Sequence, residues 1–195
     1  MKNSTTIIIC LSIALLVNAQ ESNHNHILST PNWGSEFFDF PIRFAKEIPY
    51  KGYEEAVFPK GWAKEDSHEF WSYAFAWKIE TIKALTAKDF ETHLQHYFDG
   101  LMDIKNQKND TSILATKASI TANSSNSHAP TFYGSIYFYE GRYTKKMMTL
   151  FVMAEISYRK EENKSIVLFK FSPKFYNHKI WQILNSIKIS DKASK

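Results

Sequence analysis

Residues 69–80 constrain the fold more than any other stretch of this chain. Trp71, Tyr73, Phe75, Trp77 and Ile79 occupy the odd positions, and Ser72, Ala74 and Ala76 lie between them. Strict alternation of bulky and small residues is a strand signal, because successive side chains leave opposite faces of a sheet. The run predicts one face paved with large rings and a second face small enough for a helix or a ligand to approach closely. Trp71, Tyr73 and Trp77 are therefore candidate ligand-binding residues. A strand of this kind needs neighbours, and the chain supplies them downstream.

A helix follows. Thr86 can cap it and Asp89 stands three residues on as the acidic half of a capping box, after which Phe90, Leu94, Tyr97, Phe98 and Leu101 share one face. Next come a polar strand over 113–121, a Ser/Asn loop over 123–130, and strands over 131–139, 147–158 and 165–171. Glu140-Gly141-Arg142 and Glu161-Glu162-Asn163-Lys164 provide the turns between the last three. The stretches 147–156 and 166–171 are apolar at both parities, as in strands covered on both sides. Ser172-Pro173 then starts a closing helix whose buried stripe is Tyr176, Ile180, Ile183, Leu184 and Ile187. Upstream, Pro41, Pro49 and Pro59 restrict residues 37–62 to edge strands and turns.

This order is an α+β plan: an antiparallel meander of about five to seven strands with helices on its faces, in one domain over 36–189. The Pro59-Lys60-Gly61-Trp62 turn before the aromatic strand, and the closing Ile183-Leu184-Asn185-Ser186-Ile187-Lys188, resemble the PsbP-like and DcrB-like exported proteins. The resemblance implies an α/β/α sandwich, no known active site, and a role in binding or assembly. It carries no functional residue over to this chain.

Residues 1–19 read as a secretory leader. Lys2 and a short polar stretch precede the eleven-residue apolar run Ile7 to Val17, and Val17-Asn18-Ala19 offers a cleavage site after Ala19. The run is too short to span a bilayer, so no transmembrane segment is expected after cleavage. Cys10, the only cysteine, leaves with the leader. The mature chain then has no disulfide, thiolate nucleophile or cysteine metal ligand, which fits a bacterial protein, periplasmic or secreted, held together by its core. Residues 20–35 are polar and read as a flexible lead-in, and 190–195 as a polar tail.

The net charge of +4 is spread among interspersed acids, with no basic block that would mark a nucleic-acid binder. Nucleophile elbows, zinc-binding helix motifs, phosphate loops and dinucleotide fingerprints are all missing from the sequence, and no cofactor is implied. Asp89, His93 and His96 fall along one helical stripe. They are the candidate metal ligands of a small exported hydrolase, against the plainer reading of a cap and two packed or solvated imidazoles. His24 and His26 in a loose tail, the cluster Asp66-Ser67-His68-Glu69, and Glu155 in an apolar strand are further polar features. Their plain readings are accidental tail histidines, a solvated approach to the strand, and a carboxylate paired with lysine.

Aromatic abundance points elsewhere. Five Trp, ten Tyr and fifteen Phe are more than a core needs from its polar-tipped members. Tyr133, Tyr137 and Tyr139 share one face of their strand, a second set of candidate ligand-binding residues. Rings with a hydrogen-bonding tip suit a protein, glycan or apolar partner. The expected function is non-enzymatic binding or assembly through an aromatic sheet surface.

Overall fold

The computed structural model describes residues 24–104, 113–123, 131–191 and 193. The leader, residues 124–130 of the Ser/Asn loop and half of the tail lie outside the described residues.

Seven antiparallel strands form the main sheet. In chain order they are β2 (Gly34–Asp39), β3 (Gly52–Phe58), β4 (Tyr73–Glu80), β5 (Lys117–Asn123), β6 (Thr131–Glu140), β7 (Lys146–Arg159) and β8 (Lys164–Ser172). In space they run β2-β3-β4-β8-β7-β6-β5, so the aromatic strand lies near the middle and pairs with β8, with Tyr73 opposite Phe171, Phe75 opposite Phe169 and Trp77 opposite Val167. Two short strands, β1 (Leu28–Ser29) and β9 (Lys188–Ile189), form a separate ladder joining the two ends of the described chain. Helix α1 is Ala87–Leu101 and helix α2 is Ile180–Ser186.

The alternation in β4 decides which helix goes where. Tyr73, Phe75, Trp77 and Ile79 enter one core with Phe90, Leu94, Tyr97 and Phe98 of α1. Ala74 and Ala76 enter a second core with Ile180, Trp181 and Leu184 of α2 and with Ile27 and Leu28. The helices therefore sit on opposite faces, and β8 between them is buried at both parities. The Thr86–Asp89 capping box holds the start of α1. Near its end Gly100 lets the β2–β3 loop pass close by: a Cβ there would stand 1.8 Å from the Phe44 carbonyl oxygen.

Several expectations need correction. The aromatic strand begins at Tyr73, because residues 69–71 turn and Trp71 takes a left-handed backbone with φ of 50°. The proline-rich segment supplies an inner strand as well as an edge: Pro49 and Pro59 bound β3 without entering it, so its amides stay free for the ladder. Residues 24–35 are no loose lead-in. Ile27 and Leu28 are buried, and their amides donate to the Glu55 carboxylate at 2.5 and 2.9 Å. The tail is partly docked, with the Ser190 amide on the Ile27 carbonyl oxygen and Ala193 buried. The closing helix starts at Ile180 and not at Pro173, since Tyr176 is drawn down to the sheet, where its hydroxyl meets the carbonyl oxygens of Gly134 and Val152.

Candidate functional site

The first aromatic set is interior. Trp71, Tyr73 and Trp77 are 0%, 3% and 0% exposed, which corrects the reading of this face as an open ligand surface. The reason is the match between the ring-bearing face of β4 and the apolar stripe of α1. Phe75 stacks on Tyr97 with centroids 5.1 Å apart, and Phe169 on the neighbouring strand lies 4.9 Å from both Phe75 and Trp77. Within this core sits a carboxylate that the sequence did not flag. Glu54 on β3 is completely buried, accepting Trp77 Nε1–H at 2.7 Å and the Tyr97 hydroxyl at 2.8 Å. Burial pushes its carboxyl up to about 7; the two donors pull it down, and the Glu36 carboxylate on β2 adds to the rise.

The helical stripe does not assemble a metal site. Among the described residues no three histidine, cysteine, aspartate or glutamate side chains converge. Asp89 is occupied at the helix start, where its Oδ2 takes the Thr86 amide at 2.9 Å and the Thr86 hydroxyl at 2.7 Å. Burial acts upward on Asp89, but these donors and the charges of Lys83 and His93 hold its carboxyl below the usual range. His93 is packed against the core and its Nε2 meets the Tyr50 hydroxyl at 2.7 Å. Burial lowers the His93 pKa, with His96 acting the same way and Asp89 against it. Burial and then Asp89 raise Tyr50 to about 12. Both groups are thus held neutral at ordinary pH. Tyr50 had no local signal of its role; it lines an open cleft of about 520 Å³ at one end of the sheet, together with Lys51, Glu80, Ile82, Lys83 and Lys164.

The other polar features resolve into structural tasks. His24 Nε2 meets Asp39 at 2.6 Å and its ring stacks on Tyr53, while His26 Nδ1 meets Glu55 at 2.6 Å. Ser67 Oγ accepts the Glu69 amide, and Glu69 accepts the Gly61 amide, so that cluster braces a turn. Glu155 pairs with the buried Lys170 at 2.7 Å, as the plain reading had it.

The second aromatic set stands differently. In β6, Tyr133, Tyr137 and Tyr139 point away from α1, opposite Met153, Thr149 and Met147 of β7. Tyr137 is 40% exposed, and Tyr133 and Tyr139 are half-buried. Helix α2 has only seven residues and packs on β8, so it stops short of this part of the sheet. Phe151 and the exposed Phe175 extend the patch, their rings 5.0 Å apart and perpendicular. On the far side the exposed Lys117, Ser119 and Thr121 of β5 form a polar border. Among the described residues Glu155 is the one acid of β5–β7 on this face, and Lys170 neutralises it.

Among the described residues no helix is long and apolar enough to cross a membrane. No protein-family model, curated protein or solved structure matches this chain.

Proposed function

We propose that this chain is an exported, non-enzymatic binding or assembly protein, periplasmic or secreted, that engages its partner through the outer face of β5–β7. The observation that carries the reading is the row Tyr133, Tyr137 and Tyr139 beside Phe151 and Phe175, on the part of the sheet that the short α2 does not reach. Half-exposed rings with hydroxyl tips supply contact area at low cost in side-chain entropy, and the Ser/Thr border supplies adaptable hydrogen bonds. The secretory character of residues 1–19 supports export. The order of strands, helix, meander and helix, with one helix on each face, supports a relation to the PsbP-like exported proteins.

The test compares wild type with the double variant Tyr137→Ser, Phe175→Ser as immobilised baits for cell-envelope extract. Both side chains are exposed, so melting should be unchanged while retention of a wild-type-specific partner is lost. Equal retention by the two baits would refute the assignment.

A further inference from the structure

Trp62, Trp71 and Tyr73 form a ring cluster at the Tyr73 end of β4, with centroids 5.2 Å apart for Trp62–Trp71 and 6.0 Å for each pair with Tyr73. Trp62 Nε1, Trp71 Nε1 and the Tyr73 hydroxyl are all buried, and none has a hydrogen-bond partner among the described residues. Folded proteins satisfy nearly all such groups, so three in one cluster call for a common cause. The two indoles are held in place by the backbone: the Trp71 amide donates to the Trp62 carbonyl oxygen at 3.1 Å, and Trp71 keeps its left-handed φ of 50°. That conformation is an outlier for so large a residue, and such outliers concentrate where a site over-determines the chain.

The chemistry of the three groups is one-sided. Two are donors only and the third is a hydroxyl. A water molecule brings two hydrogens of its own, and of these three groups Tyr73 alone could accept one. A carboxylate brings about four acceptor sites and no hydrogen. The surroundings match an anion on an apolar body. Phe58 stacks on Tyr73 at 5.6 Å, and Phe138 and Phe171 close the inner side at 5.4 Å from Trp71 and 5.0 Å from Tyr73. On the outer side lie the half-buried Trp62 and the exposed Tyr143, edge to face at 5.9 Å. Arg142 precedes Tyr143 in the hairpin; burial and then the Glu54 carboxylate raise the Tyr73 pKa, and the positive charge of Arg142 acts against them. The buried Glu140 carboxylate fixes this hairpin by accepting the amides of Arg142, Tyr143 and Thr144.

We propose that the Trp62–Trp71–Tyr73 cluster binds the carboxylate of a small aromatic or aliphatic acid, with Tyr143 and Arg142 at its mouth. The site is distinct from the outer face of β5–β7 and does not depend on that face having a partner.

The test uses tryptophan fluorescence and calorimetric titration of the full chain with phenylacetate, indole-3-acetate and dodecanoate, and with the corresponding alcohols as controls. Saturable binding of at least one acid, and not of its alcohol, is expected. Tyr73→Phe removes one unmet donor while keeping the ring. It should raise the melting temperature of the free protein and weaken acid binding by on the order of tenfold to a hundredfold. Trp62→Phe should weaken binding similarly without unfolding the chain, because Trp62 is half-buried. The proposal is overturned if no acid saturates, if alcohols bind as well as acids, or if Tyr73→Phe binds like wild type. A crystal structure showing one isolated water among the three donors would overturn it as well.

Discussion

Glu54→Gln should change how stability depends on pH more than it changes stability itself. Glu54 is fully buried with Trp77 and Tyr97 as its hydrogen-bond donors, Tyr73 on β4 and Glu36 on β2 within electrostatic reach, and no cation among the described residues in contact with it. Its folded pKa of about 7 lies above an unfolded value of 4.5. Between those values the folded state holds a proton that the unfolded state has released. The group's contribution is therefore complete below pH 4.5 and is lost as pH rises through about 7, a total of roughly 3 kcal/mol. His93 works the other way. Its lowered pKa favours the fold above its ordinary value of 6.5, and that support is lost as pH falls. The wild-type profile blends the two, so the difference between wild type and variant is the clean quantity. Glutamine keeps an oxygen for Trp77 and offers Tyr97 an amide, but carries no titration. Urea unfolding followed by tryptophan fluorescence at pH 4.5, 6, 7 and 8 and constant ionic strength should show the variant gaining roughly 3 kcal/mol on wild type across the series. At ordinary urea slopes this is about 1 M or more in midpoint. Parallel profiles would refute the reasoning, since they would mean that Glu54 titrates alike in both states.

Three further outcomes are expected. Gly100→Ala should destabilise by about 2 kcal/mol or more in thermal melts, reversing the roughly 1 kcal/mol gain of such a change in an open helix, because the methyl group would strike the Phe44 carbonyl oxygen. Glu155→Ala should cost about 3 kcal/mol by chemical denaturation, since it leaves the 1%-exposed Lys170 ammonium unpaired, while Lys170→Met should cost much less because Glu155 still reaches water. Glu55→Ala removes the acceptor of the Ile27 and Leu28 amides and of His26, so limited proteolysis should cleave near residues 24–29 well before the rest of the chain.

What could be read in advance was local. The alternation over 73–79 fixed a strand with a ring-bearing face, and Thr86 with Asp89 fixed the start of α1, because both depend on residues a few positions apart. Longer-range effects were hidden. Ile27 and Leu28 look like stray apolar residues in a polar stretch, and become core because Glu55, far along the chain, takes their amides. Tyr176 fits a helical stripe, yet its hydroxyl is held by the Gly134 and Val152 backbone, so the helix begins four residues later. That shortening leaves the face of Tyr133, Tyr137 and Tyr139 partly open, whereas Trp71, Tyr73 and Trp77 lie in the core on the α1 side of the sheet. Both sets carry similar residues at strand spacing; the difference lies in what covers them. His93 drew notice for its neighbours on the helix, and its actual partner, Tyr50, comes from a loop that no spacing rule connects to it.

The pairing of Leu28 with Ile189 ties together segments that leave the ribosome at nearly opposite times. A growing chain can zip β6 onto β7 while synthesis is still under way, but it cannot seat its early residues until the last turn of the second helix has emerged. The clasp makes a late segment the condition for seating an early one: a product stopped before Lys188 would carry a loose front end, open to proteases that the clasped chain turns away.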